Sequence, residues 1–139
     1  MYHASMHDTY MTQISKIPLD KKTEIKILQN LELILAKLGK REEMGDFLFS
    51  LLTRTEKLML AKRLAIVILL KEGISQTTIS SVLKVTRATV SRIQLIDEAR
   101  GSGFTAAFKK HLHEENTKEI RESLLKIAGY SIRAASGRT

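Results

Sequence analysis

The stretch GISQTTISSVLKVTRATVSRI, residues 73–93, holds two short helices and the turn between them. Ser75 is placed to cap a helix from Gln76 to Leu83, and Thr86 to cap a second from Arg87 to about Asp97, because a hydroxyl there accepts from first-turn N–H groups. Ile79, Val82 or Leu83, Val85, Val90 and Ile93 fall where two helices joined by a tight turn bury their apolar faces together, the spacing of a helix-turn-helix. Ser80 and Ala88 are small enough for a close crossing. Lys84 stands at the turn, where positive φ favours Gly and a Lys costs about 1 kcal/mol. No Asp or Glu occurs from Gly73 to Ile96, whereas Lys84, Arg87 and Arg92 do, and an acid-free surface suits phosphate.

The second helix exposes Thr86, Arg87, Ala88, Ser91 and Arg92 on its N-terminal half, the part that enters a major groove in this motif. Arg87 has the fork geometry for a bidentate guanine contact, and Ala88 is small enough to meet a thymine methyl. Thr86, Thr89 and Gln76 suit phosphate oxygens, with Lys84 beside them.

Upstream, LMLAKRLAIVILLKE leads into Gly73 from a cap at Thr53 or Thr55 with Glu56 in the first turn. Leu64 to Leu70 are apolar without a break, which leaves no polar face and predicts burial all round. Before it, Asp20 caps a helix in which Ile25, Leu28, Leu31, Ile34 or Leu35 and Leu38 recur at helical spacing up to Gly39. Lys40 to Met44 reads as a charged joint, followed by a short amphipathic segment through Phe47, Leu48, Leu51 and Leu52. Five or six helices and no convincing strand predict an all-α, multi-helix protein.

The rest of the composition is consistent with that class. The chain has 139 residues with 23 Lys plus Arg against 15 Asp plus Glu, a net charge of +8, and no Cys. One ordinary domain fits that length, and the missing Cys excludes disulfide scaffolds, thiolate zinc sites and thiol catalysis. The basic excess favours a polyanion, nucleic acid ahead of membrane. No run reaches the roughly 18 apolar residues of a membrane span, and the first residues lack the pattern of a targeting peptide. The expected location is the cytoplasm.

The segment from Lys62 through Ile79, with Arg63, Ile66-Val67 and Ser75-Gln76, continued by Ala88-Thr89-Val90-Ser91-Arg92, resembles the core of the Trp repressor family over roughly residues 46–108. The resemblance implies an intertwined dimer, in which helices before the motif from both chains share one core that takes in Leu64 to Leu70. It implies DNA contacts from Gln76 and Thr77 to phosphates or base edges, and groove reading by Arg87, Ala88 and Ser91. In tryptophan-responsive members two arginines sandwich the indole; Arg63 and Arg92 fall at or near those places, with Thr89 close by, a possible ligand pocket. Ile93 follows Arg92 where those members have Gly, and its branched side chain fills the ligand's space. The expectation is a relative that does not respond to tryptophan, with no cofactor assigned.

The domain plan is then a flexible arm over 1–18, a helical dimerisation core over 19–108 with the helix-turn-helix at 75–97, a C-terminal helix over 109–128, and a disordered basic tail over 129–139 with Arg133 and Arg138. Gly101-Ser102-Gly103-Phe104 reads as a turn before a helix starting near Thr105. The C-terminal helix is expected to pack through Ile120, Leu124 and Ile127, with Glu114 paired to Lys118. His111 and His113, beside Glu114 and Glu115, sit at i and i+2 on different helix faces, so no metal is assigned. Met1-Tyr2-His3 has the spacing of an N-terminal copper or nickel site that any such peptide shares. No catalytic constellation is present, and the chain is not read as an enzyme.

The resulting expectation is a sequence-specific DNA-binding transcriptional regulator, a repressor, acting as a homodimer on a pseudo-palindromic operator. The residues also allow an all-α dimeric protein-interaction scaffold, or an accessory DNA-binding module of a recombinase or transposase system.

Overall fold

The computed structural model describes residues 17–111 and 115–129. Seven helices and no strand occur among the described residues: α1 (Lys21–Lys37), α2 (Arg41–Leu51), α3 (Arg54–Lys71), α4 (Gln76–Leu83), α5 (Arg87–Arg100), α6 (Ser102–His111) and α7 (Glu115–Ile127). None is long and apolar enough to cross a membrane. The chain divides into two compact units, with the division inside α3 between Met59 and Leu60.

In the first unit α1 is well capped, α2 starts after Lys40 without a side-chain cap, and both are poorly covered. Asp20 caps α1: one carboxylate oxygen accepts from the Thr23 N–H at 3.0 Å and the other from the Thr23 hydroxyl at 2.6 Å. Those bonds, the hydroxyl first and the backbone N–H second, hold the Asp20 carboxyl below the usual carboxylate range. The charged joint expected over Lys40 to Met44 is instead the first turn of α2, where Glu42 and Glu43 suit the positive end of the helix dipole. Thr53 and Glu56 form a reciprocal capping box at the start of α3, Thr53 Oγ1 accepting from Glu56 N at 3.2 Å and Glu56 accepting from Thr53 N at 2.8 Å. Neither α1 nor α2 contains a buried residue. Phe49 is 76% exposed, with the Lys57 ammonium 5.2 Å from its ring centre.

The second unit holds the core. Ala65 to Leu69 are buried, while Leu64 is 45% exposed and Leu70 half-buried, so burial covers the centre of the apolar run and not its ends. Ile66, Val67 and Leu69 pack in one cluster with Ile74, Ile79, Val90, Ile93 and Ala128, flanked by Val82, Val85, Phe104, Phe108, Leu124 and Leu125. Ile66, Val67 and Leu69 are thus buried by α4 to α7 of their own chain, without a shared core having to account for them.

The end of α3 shows why the motif starts where it does. Gly73 has φ of 78°, its N–H donates to Leu70 O at 3.0 Å, and Ile74 N–H donates to Leu69 O at 3.1 Å. That is the two-bond Schellman ending, with Gly at the left-handed position and Ile74 dropping into the core behind it.

Three expectations change downstream. The second motif helix runs to Arg100 and not Asp97, because Ile96 to Ala99 contain nothing that breaks a helix before Gly101. The turn expected over residues 101–104 shrinks to Gly101, whose carbonyl already accepts from Thr105 N at 3.0 Å as α6 starts at Ser102 rather than near Thr105. Of the helix expected over 109–128, residues 109–111 belong to α6, which starts at Ser102 and packs through Phe104 and Phe108, and residues 115–127 form α7.

That α7 face is also rotated from the expected one. Arg121 Nε meets Glu72 Oε1 at 2.8 Å, and the stripe one and two turns on, Leu124, Leu125 and Ala128, packs on the core while Ile120 and Ile127 stay exposed. Lys118 pairs with Glu122 at 4.0 Å; Glu114, its expected partner, lies outside the described residues, as do His113, Met1-Tyr2-His3, Arg133, Arg138 and nearly all of the expected arm and tail.

Candidate nucleic-acid interface

Ser75 and Thr86 both cap as their positions require. Ser75 Oγ accepts from Thr78 N at 3.1 Å, and Thr86 Oγ1 accepts from Thr89 N at 3.1 Å. Between the two helices Lys84 has φ of 53° and ψ of 51°, the left-handed conformation that its place at the turn demands. The turn closes through Val85 N to Ser80 O at 3.1 Å and through the Ser80 hydroxyl to Val85 O at 2.7 Å. Ser80 therefore does more than leave room for a close crossing, since it ties the turn. Lys62 from α3 reaches the Lys84 carbonyl at 3.5 Å, a cation at the negative end of α4.

Ile79, Val90 and Ile93 are buried between the helices. At the end away from the turn, Gln76 Nε2 donates to Gln94 Oε1 at 2.6 Å, and Gln94 Nε2 donates to Glu98 Oε1 at 3.2 Å. The helix pair is thus an apolar centre held by polar bonds at both ends.

The other expected contact residues are distributed as follows. Thr77, Lys84, Thr86, Arg87, Ala88 and Arg92 are exposed, and Gln76, Thr89 and Ser91 are half-buried. The Thr86 and Thr89 hydroxyls lie 2.9 Å apart, so the cap and its neighbour hold each other. Arg63 is exposed on α3, and no hydrogen bond joins it to Thr89 or Arg92 among the described residues. Ile93 is only 7% exposed and belongs to the core cluster.

The acids that bracket the motif are already engaged. Glu72 pairs with Arg121, Asp97 Oδ2 pairs with Lys71 at 3.3 Å, and Glu98 accepts from Gln94. Arg87 and Arg92 make no ion pair among the described residues, so none of the described acids neutralises either cation. Lys71 also lies 5.9 Å from the Phe108 ring centre, which ties the end of α3 to α5 and α6. Such a surface attracts a polyanion and repels a basic partner.

Sequence reasoning missed Lys62, Gln94 and Glu98. Gln94 and Glu98, four residues apart on one helix, were readable as a local pair. The Gln76 to Gln94 bond was not, because it exists only once the two helices cross.

Among curated proteins and among solved structures, no match to the chain was found. The family model described as Trp repressor protein matches residues 26–112, well over half of the chain. An all-α, multi-helix arrangement with a helix-turn-helix, its turn at Lys84, accompanies that match. The chain belongs to the Trp repressor protein family.

Proposed function

We propose that this family member is a sequence-specific DNA-binding transcriptional regulator, a cytoplasmic repressor that acts as a homodimer on a pseudo-palindromic operator. The observation that carries the reading is the N-terminal half of α5, where exposed Arg87, Ala88 and Arg92 follow a capped start and neither arginine has an ionic partner among the described residues. In a helix-turn-helix that half enters the major groove, with Arg87 suited to guanine and Ala88 to a thymine methyl. Thr77, Lys84 and Thr86 flank it at the positions of phosphate contacts.

The dimer is supported by the exposed apolar side chains of α1, among them Ile25, Leu28, Leu31 and Ile34. A contiguous apolar face of that kind is typical of a protein interface. Half-sites then lie about 34 Å apart, one turn of duplex. Burial of Ile93 supports a regulator that does not respond to tryptophan, since the side chain takes core space beside Arg92. On this reading Arg63 and Arg92 face phosphate and not an indole ring.

In-vitro selection of duplexes by the full chain, with and without tryptophan and with its mass in solution measured alongside, tests all three parts. The expected result is one pseudo-palindrome, a dimer mass and no effect of tryptophan. An unenriched pool and salt-insensitive binding would overturn the DNA reading and favour the interaction scaffold. A monomer mass removes the dimer, and enrichment only with tryptophan removes the role given to Ile93.

A further inference from the structure

The contact between Gln76 and α5 has a direction. A glutamine amide can donate from nitrogen and accept at oxygen, and which way it faces is set by its partners. A carboxylate only accepts. Glu98 Oε1, 3.2 Å from Gln94 Nε2, therefore fixes the Gln94 amide with its nitrogen toward Glu98 and its oxygen toward α4. Gln76 must answer that oxygen with its own nitrogen, and does so at 2.6 Å. Gln76 Nε2 carries two hydrogens, so one N–H stays available for an anion. The Gln76 to Gln94 bond is part-buried, which limits the competition of water for it, while the Gln94 to Glu98 bond lies at the surface.

We propose that Gln94 and Glu98 are positioning residues for the DNA interface, forming a polar relay whose direction, set by Glu98, holds the Gln76 amide with an N–H free for a backbone phosphate. The inference rests on the DNA-binding reading above and adds two residues outside the groove-facing half of α5. Fixing one phosphate contact at the start of α4 fixes the register of the helix pair on the duplex, which matters more for the matched site than for random DNA.

Glu98→Lys separates this role from general electrostatics because the two act in opposite directions. The substitution adds positive charge and should tighten binding to random duplex. A lysine, however, only donates, so Gln94 turns its oxygen toward position 98 and its nitrogen toward Gln76, and Gln76 must reverse to accept.

The experiment compares the full-length chain with Gln76→Ala, Glu98→Lys and the double variant, using the selected duplex and a random duplex at fixed salt, with thermal melting as the folding control. The relay predicts that each single variant lowers the selected-to-random affinity ratio about three- to tenfold, the worth of one ordinary hydrogen bond. It also predicts that the double variant is no worse than Gln76→Ala alone. Glu98→Gln, whose side-chain oxygen can still accept, should stay within about twofold of the parent. An unchanged ratio in Glu98→Lys, or losses that add in the double variant, would overturn the relay while leaving the DNA reading intact. A parent chain that does not distinguish the two duplexes would overturn the DNA reading itself, and the relay with it.

Discussion

α1 and α4 begin in the same way, with a side-chain oxygen on a first-turn N–H, yet they end in opposite conditions. α4 buries Ile79 completely, whereas α1 has no buried residue although Ile25, Leu28, Leu31 and Ile34 recur at helical spacing. Caps and periodicity are local and set where a helix starts and which side is apolar. Burial requires another surface, and within the second unit α3 to α7 supply it to one another. The first unit keeps its apolar face open, which is where the homodimer proposal puts a second chain.

The sharpest way to break that contrast is to truncate one buried and one exposed apolar side chain. Ile79→Ala should destabilise the second unit by about 2–5 kcal/mol, through lost transfer energy and the cavity left behind. Leu28→Ala should do little to an isolated chain, and under the dimer proposal its effect should appear as a melting temperature that depends on protein concentration. Denaturant and thermal unfolding at two concentrations check both. Concentration-independent melting of parent and Leu28→Ala alike would remove the second chain from α1.

Gly101 gives the next largest effect, and it is one of space rather than of φ. A Cβ there would overlap the Asp97 backbone carbonyl and the Asp97 carboxylate oxygen Oδ1, which is itself buried without a hydrogen-bond partner. The backbone carbonyl cannot rotate away as a side chain could. Gly101→Ala should therefore cost about 1–3 kcal/mol, like other overpacked sites, and a melting temperature equal to the parent's would refute the close approach. Lys84→Gly should act in the opposite sense. It relieves the left-handed turn and should raise stability by about 1 kcal/mol, while under the DNA-binding proposal loss of the charge should lower the salt slope of binding by about one.

These residues also mark what could be read from the sequence. The caps at Asp20, Ser75 and Thr86, the glycine ending at Gly73 and the strained turn at Lys84 are each decided within a few residues, and all were visible in the sequence. The packing face of α7 was not. Ile120, Leu124 and Ile127 have acceptable helical spacing, but it is Leu124, Leu125 and Ala128 that meet the core, with Arg121 on the same stripe reaching Glu72, a residue far away in the chain. Likewise Gly101 and Gly103 together suggest a turn, and only the tertiary arrangement shows that Gly101 alone makes it while Gly103 enters α6. The exposure of Thr86, Arg87, Ala88 and Arg92 was legible because it follows from a cap and a period. The bond from Gln76 to Gln94 was not, because it depends on what α4 brings to α5.

Acid separates the two regions by the chemistry of their caps. The Asp20 carboxyl sits below its ordinary value because the Thr23 hydroxyl, and after it the Thr23 N–H, donate to its charged form. A carboxyl whose folded value is depressed binds fewer protons folded than unfolded just below the ordinary Asp range near about 3.9. Its contribution is therefore complete above that range and declines as the pH falls toward the lower folded value. Ser75 and Thr86 cap with hydroxyls that do not titrate there, so α4 and α5 keep their caps. Lowering the pH from about 6 to about 3 should thus move the Thr23 amide resonance and reduce its protection against hydrogen exchange, relative to the intrinsic rate at each pH, before those of Thr78 and Thr89. Asp20→Asn, which caps without titrating, should abolish the difference. Simultaneous loss at all three amides would mean that acid opens the chain as one body, and that the first unit is held by more than its own local bonds.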